Sequence, residues 1–223
     1  MNISPLVISF KVAFTATIIT VCIGIPLAWY VAKLKRGKGL IDGILTMPMV
    51  LPPTIVGFFL LVLIGKNGPL GKLLLYFNIT LTFTWIAAVL ASVIVTLPLM
   101  YRTARGSFEA IDLNLIYAGQ TLGMSNFEIF RKVVLPNTIS GMMAGVVLTF
   151  ARALGEFGAT IMVAGNIPGR TQTMSVAVYS AVQGGHREEA YAWVAVIMLI
   201  SFATIMSMNW LSSRGGNSKK EVI

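Results

Sequence analysis

Five stretches of this chain are long and apolar enough to cross a bilayer, and its charged residues lie almost entirely between them. They run from about Leu6 to Ala32, Ile44 to Ile64, Ile79 to Tyr101, Ile139 to Val163 and Ala190 to Leu211. About 20 apolar residues in a helix cover the ~30 Å hydrocarbon core. A helix suits that setting because it pairs its own backbone donors and acceptors where no water can. Only 11% of the residues are charged, against about 25% in a soluble domain. The fold class is therefore an all-α polytopic membrane protein with about five transmembrane helices.

A sixth apolar piece, Met174–Val182, is too short to span and carries Ser and Gln. It is expected as a re-entrant or interfacial segment. Pro26, Pro48, Pro52 and Pro53 fall in or beside the first two spans, where neighbouring helices can re-satisfy the backbone groups that proline frees.

The net charge of +9 reflects loops that orient the spans, since cytoplasmic loops collect Lys and Arg. No basic patch is interleaved with stacking aromatics, so nucleic acid is not an expected partner. One set of loops holds Lys33, Lys35, Arg36, Lys38, Arg102, Arg105, Arg131, Lys132, Arg214, Lys219 and Lys220. The other holds Lys66, Lys72, Arg170 and Arg187. The larger set belongs in the cytoplasm, which puts the N-terminus outside and the C-terminus inside. Residues 1–212 are read as one transmembrane domain and 213–223 as a cytoplasmic tail. The first span is read as uncleaved, because no basic region precedes it and no small-residue cleavage signature closes it. The single cysteine, Cys22, permits no internal disulfide and is expected as a packed small hydrophobe. The 12 methionines are expected as core filler and His186 as a solvated side chain.

One polar island breaks the apolar pattern, from about residue 106 to 136. Ile111, Leu115, Ala118 and Leu122 recur at helical steps, as do Phe127, Phe130, Val133 and Val134. Gly123 supplies a helix stop, Ser125-Asn126 an N-cap, and Glu128 strengthens that start. The island reads as helix, turn, helix, with Pro136 at the head of the next span. Small residues at Ala118, Gly119 and Gly123 leave room for a partner's surface. The alternative is an amphipathic connector lying on lipid headgroups.

These residues resemble the cytoplasmic coupling loop of permease subunits of ATP-binding-cassette importers. That pattern reads Glu-Ala-Ala, three residues, Gly, nine residues, Ile-x-Leu-Pro. It is matched at Ala118, Gly123, Leu135 and Pro136, with Val133 in place of isoleucine. The chain departs at Tyr117, where the family often has glutamate, and at Gly119, where it often has alanine. Four other stretches are similar to molybdate permeases: 9–13, Leu51-Pro52-Pro53-Thr54 through Phe58, 65–71 and Phe150 through Thr160, with 166–171 continuing the likeness. Sulfate permeases share the Arg-Ala-x-Gly-Glu-Phe-Gly core.

The resemblance implies a type I importer permease fold and a loop that docks in a groove of a separate ATPase subunit. Its implied partners are two such ATPase subunits, a second permease copy and an external oxyanion-binding protein. It implies transport of molybdate or tungstate across the inner membrane of a prokaryote, with sulfate or thiosulfate as the alternative cargo.

Arg152 and Glu156 are the clear charges inside a span, four apart and so on one helix face. Charge at that depth usually faces a bundle interior or water cavity. The pair either lines the translocation path or fixes helix packing. Thr54 lies where prolines would break a helix, and broken helices often line cavities. Gly155, Gly158, Ala151 and Ala159 offer faces for close helix packing.

The chain has no Gly-x-x-x-x-Gly-Lys-Ser/Thr loop to cradle phosphates, so ATP hydrolysis is expected on another polypeptide and no cofactor on this one. An intramembrane enzyme would need converging nucleophile, base or metal ligands. One histidine, one cysteine and one glutamate within a span supply poor material for that. A passive channel would have no need of a coupling loop.

Overall fold

The computed structural model describes residues 2–34 and 36–217, with side chains placed up to residue 207. The expected tail lies mostly outside the described residues. The first helix, α1 (Ser4–Ala32), is a span. After it come α2 (Lys38–Val50) and α3 (Pro53–Ile64), then α4 (Pro69–Tyr76) and α5 (Trp85–Glu109). Two short helices follow, α6 (Leu113–Thr121) and α7 (Asn126–Ile129). The chain then runs through a π-turn at Phe130–Val134 into α8 (Leu135–Leu154). The last three helices are α9 (Gly158–Ala164), α10 (Met174–Gln183) and α11 (Arg187–Asn217).

Four helical runs are long and apolar enough to cross: α1, α5, the α7–α8 run and α11. The second expected span is two helices bent by 107°. The residue before a proline is pushed out of the helical region. Leu51 precedes Pro52 and Pro52 precedes Pro53, and both adopt extended backbone, with ψ of 140° and 134°. Pro53 then starts α3, where its fixed φ suits the first helical position.

The third span is shifted towards the C-terminus relative to expectation. Residues 79–84 are outside it, Phe83 has φ 59°, and the Thr84 hydroxyl caps α5 by accepting the Ala87 N–H at 3.3 Å. Its far end continues to Glu109, so the island's first residues extend that span. The fourth span also breaks: α8 stops at Leu154 and α9 starts at Gly158.

The core forms around α5, which packs against α1, α8, α9 and α2. Ala87, Ala88, Ala91, Ser92 and Thr96 are buried on it, and such small residues let backbones approach in a membrane. Thr20 of α1 and Thr96 meet hydroxyl to hydroxyl at 3.2 Å. A second cluster gathers at the far end of α5 and includes Tyr101, Phe108, Ile129 and Val134. The expected short segment is α10, half-buried against α11 and α1, with Met174 N–H donating to Ser9 Oγ at 2.8 Å.

Two packing expectations need correction. Cys22 is exposed, on an apolar groove lined also by Phe14 and Phe150, because its side of α1 faces away from α5. Met100, Met142 and Met174 are core residues, but Met47, Met49, Met198 and Met206 are exposed on helix faces that lipid can cover.

Candidate functional site

The polar island folds as a self-capped helical hairpin. Asp112 caps α6 by accepting the Asn114 N–H at 2.9 Å. Gly123 ends the turn with φ 73°, a left-handed backbone that glycine adopts without strain. The Ser125 hydroxyl then accepts the Glu128 N–H at 3.3 Å while the Glu128 carboxylate accepts the Ser125 N–H at 3.0 Å.

The second helix of the hairpin does not end before the next span. Residues 126–154 form one continuous run, with the π-turn absorbing Pro136. Proline has no N–H to give the preceding turn, and a one-residue widening relieves its clash. Just past the proline, Asn137 Nδ2 donates to Val133 O at 2.7 Å and Thr138 Oγ1 to Val134 O at 3.0 Å, each four residues back along the run.

Tyr117, Leu122 and Phe127 are 55%, 80% and 71% exposed. Ala118, Gly123 and Pro136 are exposed as well, while Val133 and Leu135 are half-buried at the root of α8. Gly119 was expected to leave room for a partner, but it faces inwards. It is buried, and a Cβ there would sit 3.1 Å from Ile129 Cγ1 of the facing helix. Its small size closes the hairpin on itself.

Sequence reasoning missed two residues that hold the hairpin to the body, Ile129 and Trp29. Trp29 of α1 lies against Phe108 and Phe130 with ring centroids 5.0 and 4.9 Å away. Nothing local marks a tryptophan near the end of a span as the partner of a loop 100 residues on.

The two helix breaks face one another within the bundle. Gly57 of α3 is so close to α9 that a Cβ would lie 2.8 Å from Ala159 Cα, and one on Gly158 would lie 3.0 Å from Pro53 Cβ. Gly155, by contrast, caps α8 and makes no tight approach to another helix. Between the breaks is a cavity of about 310 Å³ lined by Pro53, Thr54, Arg152, Gly155, Glu156, Phe157 and Gly158. Thr54 and the Arg152–Glu156 pair, singled out separately from the sequence, therefore line one open cleft.

Glu156 lies just past the end of α8, in the break. Its Oε1 accepts the Ala159 N–H at 2.9 Å, and Oε2 sits 2.7 Å from Arg152 Nη1, off the N–H axis, as an ion pair. The Glu156 side chain is 1% exposed and the Arg152 side chain 38%. Glu156 thus pairs with Arg152, whose side chain also lines the cleft. A cation already paired in this way can meet an anion without holding it tightly.

Residues 6–213 match the family described as binding-protein-dependent transport system inner membrane component. The chain belongs to that family. Within it, the chain is 42% identical over 217 residues to the molybdenum transport system permease protein ModB of Haemophilus influenzae, covering 96% of this chain and 95% of that one. It is 35% identical to the sulfate transport system permease protein CysT of Salmonella typhimurium, covering 94% of this chain and 76% of that one. The fold of this family member is shared with a chain of the MetNI methionine ABC transporter in inward-facing conformations, at 15% identity and a TM-score of 0.71 over 95% of this chain and 94% of that one. The architecture is thus the type I importer permease fold, in an inner-membrane multi-pass protein.

Proposed function

We propose that this chain is the permease of an ATP-driven importer that moves molybdate, or tungstate, inwards from an external binding protein. The observation that carries this reading is the set of exposed apolar side chains on the α6–α7 hairpin, Tyr117, Leu122 and Phe127, at the head of the α7–α8 run. Exposed apolar side chains gathered on a polar segment are what a docking surface presents. An ATPase subunit is the occupant that a family member of this kind needs. The cargo assignment is supported by the 42% identity to a molybdenum permease over nearly the whole chain.

Two ATPase subunits clamp on ATP and push the hairpins of two permease copies. One copy forms only a small open cleft, so the pathway forms between two. Arg152 and Thr54 offer donors to the passing oxyanion, and Glu156 keeps the guanidinium oriented and its affinity low. Alternation between outward and inward states is a two-state equilibrium that nucleotide and cargo bias. The charge distribution between loops supports a cytoplasmic hairpin, an external N-terminus and a cytoplasmic C-terminus. No cofactor is assigned to this chain.

The test is uptake by proteoliposomes that contain the permease, its ATPase subunits and the binding protein. Labelled molybdate should enter only with internal ATP, and tungstate should compete where sulfate does not. Competition by sulfate alone would move the assignment to the sulfate permeases. Uptake without ATP would overturn the importer reading.

A further inference from the structure

The hairpin reaches the two walls of the cleft by different routes. Towards Arg152 the route is covalent, since one helical run leads from Asn126 to Leu154. Towards Thr54 there is no such run. Thr54 opens α3, which packs on α9 but is joined towards the hairpin only through the 107° bend to α2, and α2 is weakly attached. None of the 13 residues of α2 is buried. Only Ile41 and Leu45 rest, partly buried, on the cytoplasmic core.

A charge cluster ties α2 down at its first two turns. Asp42 Oδ1 accepts from both the Tyr101 hydroxyl and Arg105 Nη1. Arg105 Nε donates to Glu109 Oε1 at 2.8 Å, and Lys38 Nζ donates to the same oxygen. Among the described residues these are the only polar side-chain contacts between α2 and another helix. Tyr101, Arg105 and Glu109 stand four apart along one face of the last turns of α5. Glu109 is three residues before Asp112, the cap of α6, so the cluster sits at the root of the hairpin.

An isolated exposed ion pair contributes little, but here the planar fork of Arg105 bridges two carboxylates and fixes one geometry between two helices. The packing of α2 needs no acid at position 42, because the rest of that helix beyond Lys38 is uncharged.

We propose that Asp42 and Arg105 are positioning residues that lock α2 to α5, so that displacement of the hairpin moves the Thr54 wall of the cleft together with the Arg152 wall. This rests on the permease reading above. Without the lock the Arg152 wall follows the hairpin while α2 lags, and ATP is hydrolysed without passage of cargo.

The experiment compares wild type, Asp42→Asn and Asp42→Glu in proteoliposomes with the ATPase subunits and binding protein, using labelled molybdate. Assembly, ATP hydrolysis and uptake are measured on the same preparation. Asp42→Asn keeps the side-chain shape and removes the charge. ATP hydrolysed per anion imported should rise by about fivefold or more, the lower end of common coupling energies, with assembly and stimulated hydrolysis retained. Asp42→Glu should restore the wild-type ratio. If Asp42→Asn does not insert, Glu109→Gln, whose side chain is 38% exposed, is read by the same ratio. A wild-type ratio in the neutral variants overturns the lock. Loss of assembly, hydrolysis and uptake in equal proportion also overturns it, as a merely structural role would. Wild-type vesicles that import nothing on ATP overturn the permease reading itself, before any variant is compared.

Discussion

Gly123 separates a backbone requirement from a docking requirement. Its φ is 73°, and nothing lies within 4 Å of where a Cβ would be. An L-residue in that conformation costs roughly 1–2 kcal/mol, and Asn much less because it tolerates left-handed backbone. In the permease alone, Gly123→Ala and Gly123→Leu should therefore lose the same 1–2 kcal/mol or so, since a larger side chain meets no neighbour. Gly123→Asn should lose little. With the ATPase subunit present the equality should fail. A surface that closes over the turn excludes leucine more than alanine, and affinity should fall by about a further tenfold, which corresponds to ~1.4 kcal/mol. Thermal unfolding in detergent reads the first quantity, and titration of the purified permease with ATPase subunit reads the second. Equal ATPase affinity of the alanine and leucine variants would refute docking at Gly123. An alanine variant as stable as wild type would refute the backbone argument.

Arg152→Ala should lower ATP-driven uptake by about 10-fold or more, the worth of one charged hydrogen bond, with a smaller loss of assembly; parallel losses in radiolabel uptake and in purified complex would assign the pair to packing. Gly57→Val forces side-chain atoms into the backbone of α9 and should destabilise the bundle by about 1–3 kcal/mol in thermal unfolding. Gly155→Ala, which has room, is the comparison and should unfold near the wild-type temperature. Trp29→Ala removes a half-buried ring from between two others and should cost roughly 2 kcal/mol. That loss should appear as faster proteolysis within residues 110–125 while α1 and α5 stay protected.

The parts legible in the sequence were those that local physics dictates. Hydrophobic length alone placed the spans at α1, α5, α8 and α11. The stop at Gly123 and the cap at Ser125 are satisfied within a few residues of themselves, and Ser125 with Glu128 was readable as a pair. The double proline signalled a break because its effect on Leu51 acts through the next covalent bond. The size of the bend was not readable, nor was the matching break at Gly155–Phe157, which hydropathy passes over because both sides are apolar.

Which residues meet was decided by tertiary structure. Thr54 and the Arg152–Glu156 pair come from different segments, and only the packing of α3 on α9 brings them to one open cleft. Gly119 looked open to a partner until its face proved to be turned to Ile129. Asp42 and Arg105 stand 63 positions apart and gave no sign of pairing. The sequence by itself determined that this chain is a polytopic all-α membrane protein, and that a capped helical hairpin interrupts its apolar runs, because hydrophobic length and capping are short-range. The folded bundle alone decided that two broken helices face each other and that a salt-bridged helix is tied to the root of the hairpin, because those contacts depend on which helix faces meet after packing.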